Sequence, residues 1–92
     1  MSRSAKRVVE IVNARGLHAR ASAKFVKAAA QYDCEITVLR EGQSVDAQSI
    51  MGLMMLGAGP GSHIEIAAEG PDAEVAVDGL AQLIADRFDE DR

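Results

Sequence analysis

The run Gly16-Leu17-His18-Ala19-Arg20 combines a nucleophilic side chain, a phosphate-binding side chain and a glycine within five residues. It lies where β-branched residues give way to helical periodicity, so the imidazole falls at the head of a helix. The first turn of a helix leaves several backbone N–H groups without intrahelical partners, and its macrodipole end is positive. Such an end suits an anion. Arg20 adds a planar fork of donors matched to phosphate oxygens, and Gly16 allows a close backbone approach that a Cβ would hinder. Imidazole as a class titrates near 6.5, so at pH 7 it is largely neutral and has a ring nitrogen able to attack. These residues together suit a covalent phosphoryl acceptor. A histidine beside an arginine is by itself more often a surface or structural residue, so the weight rests on what surrounds the pair.

The elements that must position His18 are legible from periodicity. Arg7 to Val12 is rich in β-branched residues, with Val9 and Ile11 on one face and Val8, Glu10 and Val12 on the other, and reads as a strand. Asn13 to Leu17 turns the chain. From Ala19 to Tyr32 the pattern is helical: Ala21, Phe25, Ala28, Ala29 and Tyr32 share one side, while Arg20, Lys24, Lys27 and Gln31 form a stripe on another. His18 stands at the head of that basic stripe. Glu35 to Arg40 and Gln43 to Val45 read as a hairpin about the turn Glu41-Gly42. Gln48 to Leu56 reads as a short helix stopped by Gly57, and Ser62 to Ala68 alternates as a fourth strand with His63 on its polar face. Pro71 suits the first position of a last helix, whose apolar spacing runs through Ala73, Val77, Leu80, Ala81, Ile84 and Phe88; the tail from Asp89 to Arg92 is expected to fray. The glycine-rich loop 57–61 is not followed by Lys-Ser or Lys-Thr, which excludes a nucleotide-binding P-loop.

This order, strand, helix, strand, strand, helix, strand, helix, requires the helices to bury their apolar faces on one common sheet face. The expectation is an α+β two-layer sandwich. With 92 residues, the chain is expected to be a single domain, 1–92, with one modest core. Aromatics are 3% of the residues and the net charge is −4, which together exclude a base-stacking nucleic-acid surface. Cys34 is the only cysteine, so neither an internal disulfide nor a cysteine-rich metal site is expected, and no cofactor is called for. No stretch approaches the length of a membrane span or of a signal-peptide core, and a cytoplasmic location is expected.

A second stretch stands out. Gln48 to Leu56 is too apolar for a short helix: at about 100° per residue, Ser49, Gly52, Leu53 and Leu56 share one side and Ile50, Met51, Met54 and Met55 the other. A helix this short in a chain this small can hardly be surrounded, so an exposed Met-rich patch is expected. Methionines adapt to several partner shapes. The competing reading places these methionines as gap fillers in the core.

The run Gly16-Leu17-His18-Ala19-Arg20-Ala21-Ser22-Ala23, with Ser49-Ile50-Met51-Gly52 further along, resembles the signatures of HPr, the histidine-containing phosphocarriers of the bacterial phosphotransferase system. The resemblance spans nearly the whole chain. It implies an open-faced β-sandwich with a four-stranded antiparallel sheet of order 1-4-2-3 and three helices on one face. It implies phosphorylation of His18 at Nδ1 by enzyme I charged from phosphoenolpyruvate, with Arg20 and the backbone N–H groups of Ala19 and Arg20 steadying the phosphoryl oxygens. Transfer to an EIIA-type protein follows. The family's contact surface maps onto the surroundings of His18, where the stripe supplies Arg20, Lys24 and Lys27, and onto Ile50, Met51 and Met54. Ser49 maps onto the serine that HPr kinase/phosphorylase modifies. Two positions depart from the pattern: Ala21 stands where most members have Pro, and Gln48 where the residue before the serine is commonly basic. The alternative in a different class is a regulatory binding module that docks an acidic partner without phosphorylation of His18. Within the carrier class, the sugar-uptake and nitrogen-related branches both remain open.

Overall fold

The computed structural model describes residues 3–90 and contains strands β1 (Ser4–Glu10), β2 (Glu35–Arg40), β3 (Gln43–Asp46) and β4 (His63–Glu69), with helices α1 (Ala19–Ala29), α2 (Ile50–Met55) and α3 (Ala73–Ala85). The sheet order is β1-β4-β2-β3 with every neighbouring pair antiparallel. This is the 1-4-2-3 open-faced sandwich that the resemblance implied.

Alternation decides which face of the sheet is covered. Ile64, Ile66 and Ala68 of β4 are buried, and their partners across the ladder, Val9 of β1 and Ile36 and Val38 of β2, point to the same side. The helices close over this side with Phe25 from α1, Leu53 from α2, and Leu80 and Ile84 from α3, all inaccessible to solvent or nearly so. Each such side chain contributes about 1.5–3 kcal/mol through burial. Val8, on the opposite face of β1, is 61% exposed, so that face is left open.

Several boundaries differ from the sequence expectation, each for a tertiary reason. Strand β1 starts at Ser4 and stops at Glu10, because Ser4 to Lys6 pair with Glu69 to Ala67 and Gly70 N–H donates to Arg3 O. The polar side chains of Ser4 and Lys6 hid the pairing, which uses only backbone. Arg7 sits on the helix side but reaches to the sandwich edge and pairs with Asp78 of α3 at 2.5 Å. Helix α1 ends at Ala29, where Gln31 and Tyr32 N–H groups turn back to Ala28 and Ala29 carbonyls. Pro71 lies in the turn before α3, and Asp72 is the N-cap residue; its carboxylate accepts from Asp33 N–H at 2.7 Å and so ties α3 to the segment before β2.

The largest departure is at the C-terminal end. Phe88 was expected on α3 and the residues after it to fray. Instead α3 stops at Ala85, and Arg87, Phe88 and Asp89 take positive φ of 58°, 54° and 61°, a single left-handed turn. Such a conformation costs about 1–2 kcal/mol per residue. It is offset by complete burial of Phe88 and by hydrogen bonds from Asp89 N–H to Asp86 O and from Glu90 N–H to Arg87 O. The reversal of hand drives the Phe88 ring into the core and turns Glu90 back toward the head of α1. Residues 91 and 92 lie outside the described residues.

Candidate functional site

His18 is the N-cap of α1, with φ −75° and ψ −178°. The extended backbone halts the helix there while its carbonyl accepts the first helical bond, from Ser22 N–H at 2.8 Å. The imidazole does the work of a capping side chain: Nδ1 accepts from Arg20 N–H at 3.2 Å. Beneath it, Leu17 N–H donates to Ala58 O at 2.9 Å, and the buried Ser22 hydroxyl donates to Leu17 O at 3.2 Å. The glycine-rich loop after α2 is thus a floor for the histidine. Gly16 has φ +64°, and a Cβ on it would lie 2.3 Å from Ala58 O, so both its backbone angle and its close approach require glycine.

The other ring nitrogen meets the tail. Nε2 of His18 lies 2.6 Å from Glu90 Oε2, with the two side chains only 23% and 12% exposed. Glu90 Oε1 accepts from Asn13 Nδ2 at 3.1 Å, and the same amide donates to Gly16 O at 2.9 Å. Asn13 is fully buried, and its Oδ1 has no hydrogen-bond partner. Lys24 Nζ donates to Phe88 O, holding the left-handed turn against α1. Burial pushes the Glu90 carboxyl up, but hydrogen bonds from Asn13 and His18 and the positive charges of His18, when protonated, and Lys24 outweigh it and hold the carboxyl below its ordinary range. A group with a folded pKa below its unfolded one adds stability above the unfolded value, about 4.3, and loses it as pH falls through the lowered one. Amide resonances of residues 86–90 followed through an acid titration are therefore expected to report undocking with a midpoint below about 4.3. Absence of that transition in Glu90→Gln would assign it to this carboxyl.

The other expected site residues are distributed as follows. Ala19 and Arg20 form the first turn beside the imidazole, and the side chains of Arg20 and Lys27 are exposed. Lys24 is half-buried, because its ammonium is engaged by the tail. On α2, Ile50, Met51, Met54 and Met55 are 40%, 68%, 39% and 75% exposed, which selects the exposed-patch reading over the core-filler one. Met54 joins His18, Arg15 and the loop 57–59 in lining an open depression of about 260 Å³, so the Met patch and the histidine share one surface. Larger hollows, beside Arg7 and Asp78 and beside Cys34 and Ser44, lie away from His18. Ser49 is the N-cap of α2, its hydroxyl accepting from Gly52 N–H at 2.9 Å. Arg40 secures the other end of that helix by donating to Leu56 O at 2.9 Å. Sequence reasoning missed Asn13, Glu90 and the buried Ser22. Asn13 read as an ordinary turn residue, and nothing local to Glu90 signals a contact 72 positions away.

Among the described residues, no group of three His, Cys, Asp or Glu side chains could hold a metal ion, and no helix is long and apolar enough to cross a membrane. A histidine capping a helix beside an exposed Met patch, carried on an open-faced sandwich, matches the class of small phosphocarriers. Residues 5–86 match the family model described as PTS HPr component phosphorylation site. The phosphocarrier protein HPr of Cupriavidus necator is 48% identical over 85 residues, covering 92% of this chain and 96% of its own length. The phosphocarrier protein NPr of Shewanella violacea is 40% identical over 85 residues, covering 92% and 93%. A crystal structure of HPr-C-His from Thermoanaerobacter tengcongensis superposes with a TM-score of 0.91 at 40% identity, covering 96% of this chain and 99% of that one. The chain belongs to the HPr family of phosphocarriers of the phosphotransferase system.

Proposed function

We infer that His18 is the phosphoryl acceptor, charged by enzyme I from phosphoenolpyruvate and discharged to an EIIA-type protein in the cytoplasm. The observation that carries this reading is the capping geometry: Nδ1 accepts a hydrogen bond from Arg20 N–H, so it carries a lone pair and no proton. That lone pair attacks the phosphorus of the donor. A phosphorus–nitrogen bond forms at Nδ1 as the bond from phosphorus to the donor breaks, and the leaving pair departs with the donor. The N–H of Arg20, released from nitrogen, then faces the phosphoryl oxygens, with Ala19 N–H and the exposed Arg20 guanidinium beside it. These donors are few and solvent-accessible, as a carrier requires, since phosphoryl bound too tightly is not passed on.

The shared surface of His18, Arg20, Lys27, Ile50, Met51 and Met54 docks donor and acceptor, with Lys24 contributing its charge at the edge. Ser49 borders the patch, and its phosphorylation by an HPr kinase/phosphorylase adds about two negative charges there. Ser49→Asp is the informative mimic, because aspartate also caps helices well and leaves α2 intact. It is expected to raise KM for enzyme I about ten-fold through like-charge and desolvation costs at the patch. Unchanged transfer kinetics would remove Ser49 from the mechanism.

The direct test is intact mass after incubation with phosphoenolpyruvate, Mg²⁺ and a bacterial enzyme I. An acid-labile gain of one phosphoryl group supports the reading; no gain with several enzyme I sources overturns it. Offering the charged protein to EIIA-type acceptors of the sugar-uptake and nitrogen-related branches then assigns the branch by the faster discharge.

A further inference from the structure

The geometry points to Glu90 as a positioning residue for the acceptor histidine, one that holds the proton on Nε2 and leaves Nδ1 as the nucleophile. Two independent contacts specify the same tautomer. Arg20 N–H donates to Nδ1 at 3.2 Å, which needs a lone pair there. Glu90 Oε2 lies 2.6 Å from Nε2, and a carboxylate can only accept, which needs a proton there. Glu90 is itself held: Asn13, fully buried, donates to its other oxygen, and Lys24 anchors the turn that presents it. The contact is partly shielded, with the His18 and Glu90 side chains 23% and 12% exposed, which reduces competition from water for Nε2–H.

This arrangement has a consequence for the transfer step. When Nδ1 forms its bond to phosphorus while Nε2 keeps its proton, the ring carries a positive charge shared by both nitrogens. A carboxylate at Nε2 favours that charged ring, as a buried carboxylate does for the imidazolium of a hydrolase triad. No co-reactant is needed: the proton stays on Nε2 during transfer and the ring returns to neutrality when phosphoryl leaves. The carboxylate also sits on the far side of the ring from the incoming phosphoryl group, with the Lys24 ammonium near it.

This assignment rests on His18 being the acceptor and is tested so that the two can fail separately. Nitrogen-15 NMR of His18 in the uncharged protein reads the tautomer without any phosphoryl chemistry. The Nε2–H form is expected to dominate in the parent, and Glu90→Gln, which keeps volume and the Asn13 contact but can donate to Nε2 instead, is expected to yield a mixture. In steady-state charging by enzyme I, Glu90→Gln is expected to lower kcat about ten-fold with KM unchanged, less than a complete loss because Arg20 N–H still favours the Nδ1 lone pair. An unchanged tautomer, an unchanged kcat or a change confined to KM would overturn the role of Glu90. A parent protein that takes up no phosphoryl would overturn the acceptor reading, while the NMR result would still decide whether Glu90 sets the tautomer.

Discussion

Replacing His18 with Ala is expected to abolish phosphoryl uptake from enzyme I, a loss of at least about a thousand-fold that is bounded by detection rather than by residual chemistry. No other nucleophile adjoins the depression: its remaining lining is Arg15, Leu17, Met54 and the loop 57–59, and His63 lies on the exposed face of β4. Removal of the imidazole also removes a helix cap, at about 1 kcal/mol, and leaves Glu90 without a partner for one oxygen. His18→Asn separates these effects. Asparagine is among the best N-cap residues, so this variant is expected to recover the capping part of the stability lost in His18→Ala, without the Glu90 contact, while still taking up no phosphoryl. Intact mass and thermal unfolding on the two variants, with His63→Ala as the control that charges normally, check the assignment. Uptake by His18→Asn would show that the acceptor lies elsewhere.

Replacing Gly16 with Ala is expected to be the most damaging single methyl added near the site. The left-handed backbone costs an alanine about 1–2 kcal/mol. The added Cβ would also meet Ala58 O at 2.3 Å and Gly59 Cα at 2.8 Å, both backbone atoms that cannot rotate away. Overpacking of this kind adds about 1–3 kcal/mol, for a total near 2–5 kcal/mol. Relief requires the loop 57–59 to withdraw, which breaks the Leu17 N–H to Ala58 O bond and lowers the floor under His18. Slower phosphoryl uptake should therefore accompany lower stability. Gly42 is the comparison: its φ is +82°, but a Cβ there meets nothing within 4 Å, so Gly42→Ala is expected to cost only the conformational part. Equal denaturation midpoints for the two variants would contradict this account of the loop packing.

The short-range features were readable because they depend on short-range physics. The alternation Ile64, Ile66, Ala68 declared its buried face, and the turn Glu41-Gly42 declared its hairpin. His18 could be placed at a helix head because capping involves neighbours within a few residues, and the Met patch because a short helix has only two sides. The sheet order came from family resemblance, since alternating strands carry no label for their neighbours. The first residues of β1 were missed because backbone pairing with β4 recruits Ser4 and Lys6 whatever their side chains.

What only the tertiary structure decided is the immediate environment of the His18 ring. Periodicity extended α3 through Phe88, since its place after Ile84 continues the apolar face. The chain gains more by reversing its hand at Arg87, which buries Phe88 completely and frees Lys24 to bind its carbonyl. That reversal delivers a carboxylate from position 90 to an imidazole at position 18, over a buried asparagine in the loop that leaves β1. The sequence by itself determined where a histidine would meet a helix head. The carboxylate that meets its Nε2 is set by packing between residues far apart in the chain, for which no local propensity exists.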